Sequence, residues 1–196
     1  MKKRTSLIIG CILLAAGVCL AGYAATILRG QSQAKAEDRA VYDSISATAE
    51  AAIPADAVGD ALPLGTGSSD LSGASLLSAG ADGAHSIVGT LSFPARGLTM
   101  PVGDVREDPK VLPRLLDRYS LVIEGAERSW QFDVLSKLGM SEEVVFTDVC
   151  GHRYSYMTTN IQTVPEGEPG TGDLQLMVEK SGGRRLIVSC EFVRAE

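Results

Sequence analysis

The sequence is poor in aromatic residues, which make up 5% of its 196 positions, with a single Trp. A folded part must therefore build its core from Leu, Val and Ile. It has no surplus of Lys and Arg. The net charge is −6 and the pI near 5.0, which argues against a nucleic-acid partner, because phosphate binding needs basic residues. Two His and four Cys are present, and none fall at a zinc-site spacing. No metal or other cofactor is expected. No GxxxxGK run exists to cradle a phosphate, and no internal repeat is evident.

What the chain has is one long apolar run. Leu7 to Leu28 reads LIIGCILLAAGVCLAGYAATIL, with no charge in it. About 20 such residues span the ~30 Å hydrocarbon core of a bilayer. Lys2, Lys3 and Arg4 precede it and Arg29 follows, so the heavier positive flank is expected in the cytoplasm and the C-terminal part outside. A cleaved signal peptide has a shorter apolar region, about 7–15 residues. Cys11 and Cys19 read as small residues compatible with lipid. The expectation is a cytoplasmic tip and transmembrane anchor over 1–29, in a single-pass protein of the cell membrane.

Residues 30–85 read as an extracellular stalk. Gln31 to Ile53 is polar and Ala-rich and suits a helix. From Pro54 to His85 the chain is Gly, Ser, Ala and Asp with scattered Leu. That composition buries too little apolar surface to offset its ordering entropy, so a flexible spacer is expected.

Residues 86–196 carry strand chemistry. Short apolar runs occur at Ile87–Phe93, Leu98–Val102, Tyr119–Ile123, Glu143–Thr147, His152–Val164, Leu174–Val178 and Arg185–Val188. Lys180-Ser181-Gly182-Gly183 between the last two is a hairpin turn. Trp130, Val134, Leu135 and Leu138 lie at helical spacing before Gly139, predicting one short helix. About seven strands in this length suggest an all-β domain, a closed or nearly closed barrel.

The order of these motifs resembles the sortases, membrane-anchored cysteine transpeptidases of Gram-positive cell surfaces. GTLSFPARGLTMPV (Gly89 to Val102) is similar to the family's "G-x-L-x-I-P … L-P-V" opening. Phe132-x-x-Leu135 is similar to its helix "F-x-x-L". EEVVFTDVCGHRYSY (Glu142 to Tyr156) is similar to its central hairpin, and DLQLMVEKSGGRRLIVSC to its last two strands. The resemblance implies a sortase-like closed β-barrel with one or two short helices. It also implies three catalytic groups: a Cys nucleophile, a His that handles the proton on the leaving amine, and an Arg that steadies the oxyanion.

Two of the three are replaced. Ala126 stands where the family's histidine follows a glycine, and Glu179 where the cysteine closes the penultimate strand. Arg185, in Arg185-Leu186-Ile187-Val188, fits the family's arginine, with Arg184 the neighbouring choice. No catalytic residue is therefore expected. Glu179 is expected to form a bidentate ion pair with Arg185 across the last hairpin. Cys150 and His152 share a strand face as i and i+2, but the resemblance puts them at the far turn of the central hairpin. The neighbouring carboxylates Glu142 and Glu143 read as a solvated strand entry. Cys150 and Cys190 are the pair available for a disulfide outside the cell. The sequence thus reads as a pseudoenzyme that binds or organises surface partners: a sorting-signal peptide, an active sortase or a pilin-like protein. The alternatives are an active transpeptidase and an unrelated structural β domain.

Overall fold

The computed structural model describes residues 35–53, 76–80, 83–116, 121–168 and 170–195. The expected membrane anchor and the greater part of the expected spacer lie outside the described residues, as do Tyr119 and Ser120 of the third expected strand. No helix among the described residues is long and apolar enough to cross a membrane. The chain divides into two compact units, Met1–Ala40 and Val41–Glu196. Of the first, residues 35–40 are described and are helical.

The second unit opens with helix α1 (residues 41–52). Nine strands follow among the described residues: β1 (Leu77–Ala79), β2 (His85–Phe93), β3 (Leu98–Gly103), β4 (Arg114–Leu115), β5 (Leu121–Gly125), β6 (Glu143–Asp148), β7 (Arg153–Pro165), β8 (Leu174–Lys180) and β9 (Arg184–Ala195). They join in the order β1-β2-β3-β4-β5-β8-β9-β7-β6, and β2 also pairs with β6. That last pairing closes β2 to β9 into an eight-stranded barrel, which leaves no long edge unpaired. The all-β closed barrel is as expected.

Closure depends on a close approach. Gly89 of β2 lies opposite Asp148 of β6, and a Cβ at this position would run into the Thr147 carbonyl and come within 2.8 Å of the Phe146 ring. Only glycine lets the two backbones meet there.

Alternation decides what fills the barrel. On β5, Leu121 and Ile123 are buried in the main core. So are Leu174, Leu176 and Val178 of β8, and Leu186, Val188 and Cys190 of β9. Phe93, Phe132, Phe146 and Tyr156 are the largest fully buried side chains. The aromatics are few, but they are concentrated at the centre.

The folded unit reaches further toward the N-terminus than the boundary expected at residue 86. Tyr42, Ile45, Ala49 and Ile53, at helical spacing on α1, are buried in the same core as the strands. β1 pairs with β2 through Leu77↔Ile87, Ser78↔Ser86 and Ala79↔His85. The expected helix around 130–138 is a 3-10 segment, Phe132–Lys137, that buries Phe132, Val134 and Leu135.

One exposed ion pair ties the barrel's connections together. Both guanidinium donors of Arg96 that reach Glu142 are short, Nε–Oε1 at 2.7 Å and Nη2–Oε2 at 2.9 Å. The Gly139 N–H donates to the same carboxylate at 2.8 Å. Hydrogen bonds from Arg96, then from Gly139, hold the Glu142 carboxyl below its ordinary range. Glu142 is thus a structural pin at the entry to β6, while Glu143 stays half exposed.

Candidate functional site

The register of three strands assembles the site. β5 and β8 run parallel, with Glu124 beside Met177 and Gly125 beside Val178. Ala126 follows the last residue of β5. β8 and β9 are antiparallel and set Glu179 opposite Arg185. Glu179 and Arg185 are thus cross-strand neighbours, and Ala126 follows Gly125, the β5 partner of Val178. Glu179 and Arg185 point outward, because their strand neighbours Val178 and Leu186 are buried inside.

Buried contacts fix the Ala126 end. Phe132 packs so tightly on Gly125 that a Cβ there would lie 2.8 Å from its ring. The Ala126 N–H donates to Gln131 Oε1 at 3.0 Å. Gln131 is fully buried, and its Nε2 donates to the carbonyl of Val111 at 2.8 Å. The Ala126 carbonyl accepts from the N–H groups of Arg128 (2.8 Å) and Phe132 (3.2 Å). One buried amide thus joins the turn after β5 to the loop before β4, with both its ends satisfied. Beside it, Lys180 Nζ bonds Glu127 Oε1 and ties the end of β8 to the same turn.

The Glu179–Arg185 pair is looser than the bidentate bridge expected. The single contact, Arg185 Nη2 to Glu179 Oε1, is 3.9 Å, beyond hydrogen-bond range. Glu179 is 69% exposed and extends into water, while Arg185 is 17% exposed and lies along the sheet. Opposed backbone positions bring the residues together, but water competes for an exposed carboxylate. Arg185 Nε is buried with no hydrogen-bond partner among the described residues.

An apolar strip continues from Arg185 on the same outer face. Val164, Met177 and Ile187 form a small buried cluster, with Leu116 and Val122 packed against it. Val164 pairs with Arg185 across β7 and β9, and Ile187 lies two residues beyond it. Sequence reading did not find this strip, whose signal is the outward apolar positions between the inward Leu and Val of β8 and β9.

Neither described cysteine belongs to this face. Cys190 is buried in the core, where loss of solvation pushes its thiol up to about 12. Cys150 is exposed in the β6–β7 turn, and both thiols are free. The disulfide is absent for a reason of distance. Cys190 pairs with Thr158, five residues along β7 from Arg153, or roughly 17 Å of strand. Disulfide Cα atoms come within about 7 Å. His152 is engaged elsewhere too. Its Nδ1 meets Asp148 Oδ2 at 2.9 Å, while Asp148 Oδ1 accepts the N–H groups of Cys150 and His152, both at 2.9 Å. Asp148 thus ties the turn together from within. Among the described residues, no group of three His, Cys, Asp or Glu could hold a metal ion.

No family model matches the chain, and no curated protein matches it. Among solved structures it is similar to sortase A of Listeria monocytogenes (16% identity, TM-score 0.47), covering 56% of this chain and 89% of that one. It is similar to sortase A of Corynebacterium diphtheriae at 16% identity and a TM-score of 0.48, covering 56% of this chain and 62% of that one. It is also similar to sortase C of Clostridium perfringens SM101 (17% identity, TM-score 0.47), covering 55% of this chain and 70% of that one.

Proposed function

We propose that this is a non-catalytic sortase-like domain, held at the outer face of the membrane, that binds an extended peptide or a surface-protein partner. The observation that carries the reading is the set Ala126, Glu179 and Arg185. The motif order makes these the triad positions, and here they present a methyl group, a solvated carboxylate and a half-buried guanidinium, with no thiol and no imidazole. Acyl transfer by covalent catalysis needs an activated nucleophile, and this face offers none.

Binding needs less. Arg185 keeps an unused buried donor, and the partly buried Leu116 and Val122, packed on the Val164, Met177 and Ile187 cluster, leave apolar surface for the side chains of an extended segment. Buried donors gain most when a partner carbonyl satisfies them. A partner bearing a sorting-signal-like segment fits this pairing of an apolar strip with one cation. Partner choice, membrane anchoring and cell-surface location belong to the proposal together.

The test is fluorescence anisotropy of a labelled sorting-signal peptide with the full-length chain. Saturable binding is expected, weakened about tenfold by Arg185→Ala and little changed by Glu179→Ala. Absence of saturation, or binding indifferent to Arg185, would count against the reading.

A further inference from the structure

A second pocket lies on other strands. Register sets Pro101 of β3 beside Thr90 of β2, Thr90 beside Thr147 of β6, and Thr147 beside Arg153 of β7. Register partners share a face, so these four side chains form one row across four strands. Ser92 and Thr99 pair in the next row, their hydroxyls 3.0 Å apart. Over these rows stands α1, which contributes Ser46, Ala49, Glu50 and Ile53. Their i, i+3, i+4, i+7 spacing puts them on one helical face. Together they enclose a cavity of about 500 Å³, within the size range of small-molecule sites.

The lining is polar, and much of it is unengaged. Among the described residues, the side chains of Ser46, Glu50, Thr90, Thr147 and Arg153 have no hydrogen-bond or ion-pair partner. Glu50 from the helix and Arg153 from β7 face the same space without neutralising each other. Apolar Ala49, Ile53 and Pro101 supply the rest of the wall. Glu50 and Arg153, both exposed, set opposite charges on one space. A ligand that carries both charges would satisfy them.

We infer that this pocket binds a small zwitterion, a free amino acid or a dipeptide. Its ammonium group goes to Glu50, its carboxylate to Arg153, and its amide and carbonyl groups to the threonine hydroxyls between. A carboxylate on a guanidinium and an ammonium on a carboxylate are charge-assisted bonds, the strongest available here. A saccharide fits less well, since no aromatic side chain lines the cavity to stack on a sugar ring. The pocket shares no residue with the set Ala126, Glu179 and Arg185, so this inference stands apart from the function proposed above.

The experiment uses the full-length chain with ¹³C-methyl threonine, titrated with L-alanyl-L-alanine. Thr90, Thr99 and Thr147 methyl signals are expected to shift saturably, while Thr158 and Thr163 of β7 stay in place. Glu50→Gln and Arg153→Gln, both at exposed positions, are each expected to weaken binding about tenfold. N-acetyl-dialanine amide, with both charges removed, is expected to lose binding. Three results would overturn the inference: no saturable shift up to about 20 mM dipeptide, equal binding of the blocked peptide, or maltose moving the same three threonines.

Discussion

The two ends of the barrel differ in the side chains they present. At one end lie Glu179 and Arg185, cross-strand neighbours, and Ala126 just after β5, with no thiol among them. At the β6–β7 turn there is an exposed thiol at Cys150 and an imidazole at His152, but the imidazole is held by Asp148. The one end has no nucleophilic side chain at these three positions, and the other has a thiol whose imidazole neighbour is held by Asp148. Reactive residue types do not make a site unless the fold brings them to one place.

The largest contrast is expected in thiol reactivity. Alkylation uses the thiolate. With its thiol pushed up to about 12, Cys190 is thiolate in only about one molecule in 10⁴ at pH 8, by the titration relation, and it is buried as well. Iodoacetamide followed by peptide mass mapping should therefore modify Cys150 readily and Cys190 only after denaturation. Fast labelling of native Cys190 would break the comparison, since it would mean that the core opens.

Stability should sharpen it next. Phe132→Ala removes a fully buried ring from Gly125, next to Ala126. A loss of about 3–5 kcal/mol is expected in urea unfolding. Gln131→Leu strands the Ala126 N–H and the Val111 carbonyl, and about 1–3 kcal/mol should go. At the far turn, Asp148→Ala removes bonds that water replaces in part, and about 1 kcal/mol is expected. If Asp148→Ala cost more than Gln131→Leu, the turn rather than the Ala126 end would be the better fixed.

Much of this was legible in the sequence. The longer strands announce themselves by alternation: Leu174, Leu176 and Val178 go inside, while Gln175, Met177 and Glu179 go outside. The Lys180–Gly183 turn sets Glu179 opposite Arg185, a pairing that followed from turn length. Strands β1 and β4, of three and two residues, are too short to show a period. The docking of α1 was hidden because its buried face is Tyr42, Ile45, Ala49 and Ile53, sparse apolar residues in an Ala-rich polar stretch. The strength of the Glu179–Arg185 contact depends on where two long side chains meet water, and register alone does not fix that. The separation of Cys150 from Cys190 is set by which strands pair, a three-dimensional fact that counting cysteines does not contain.

The proposal that this barrel has no nucleophile for acyl transfer rests on Ala126 and Glu179. It is tested most directly by incubating the wild-type chain with a sorting-signal peptide and an amine acceptor, with and without a thiol-blocking reagent, and following products by mass spectrometry. The account predicts intact peptide and no transpeptidation product under either condition. A product that the blocking reagent abolishes would contradict it, and the position of the block, at Cys150 or Cys190, would identify the nucleophile.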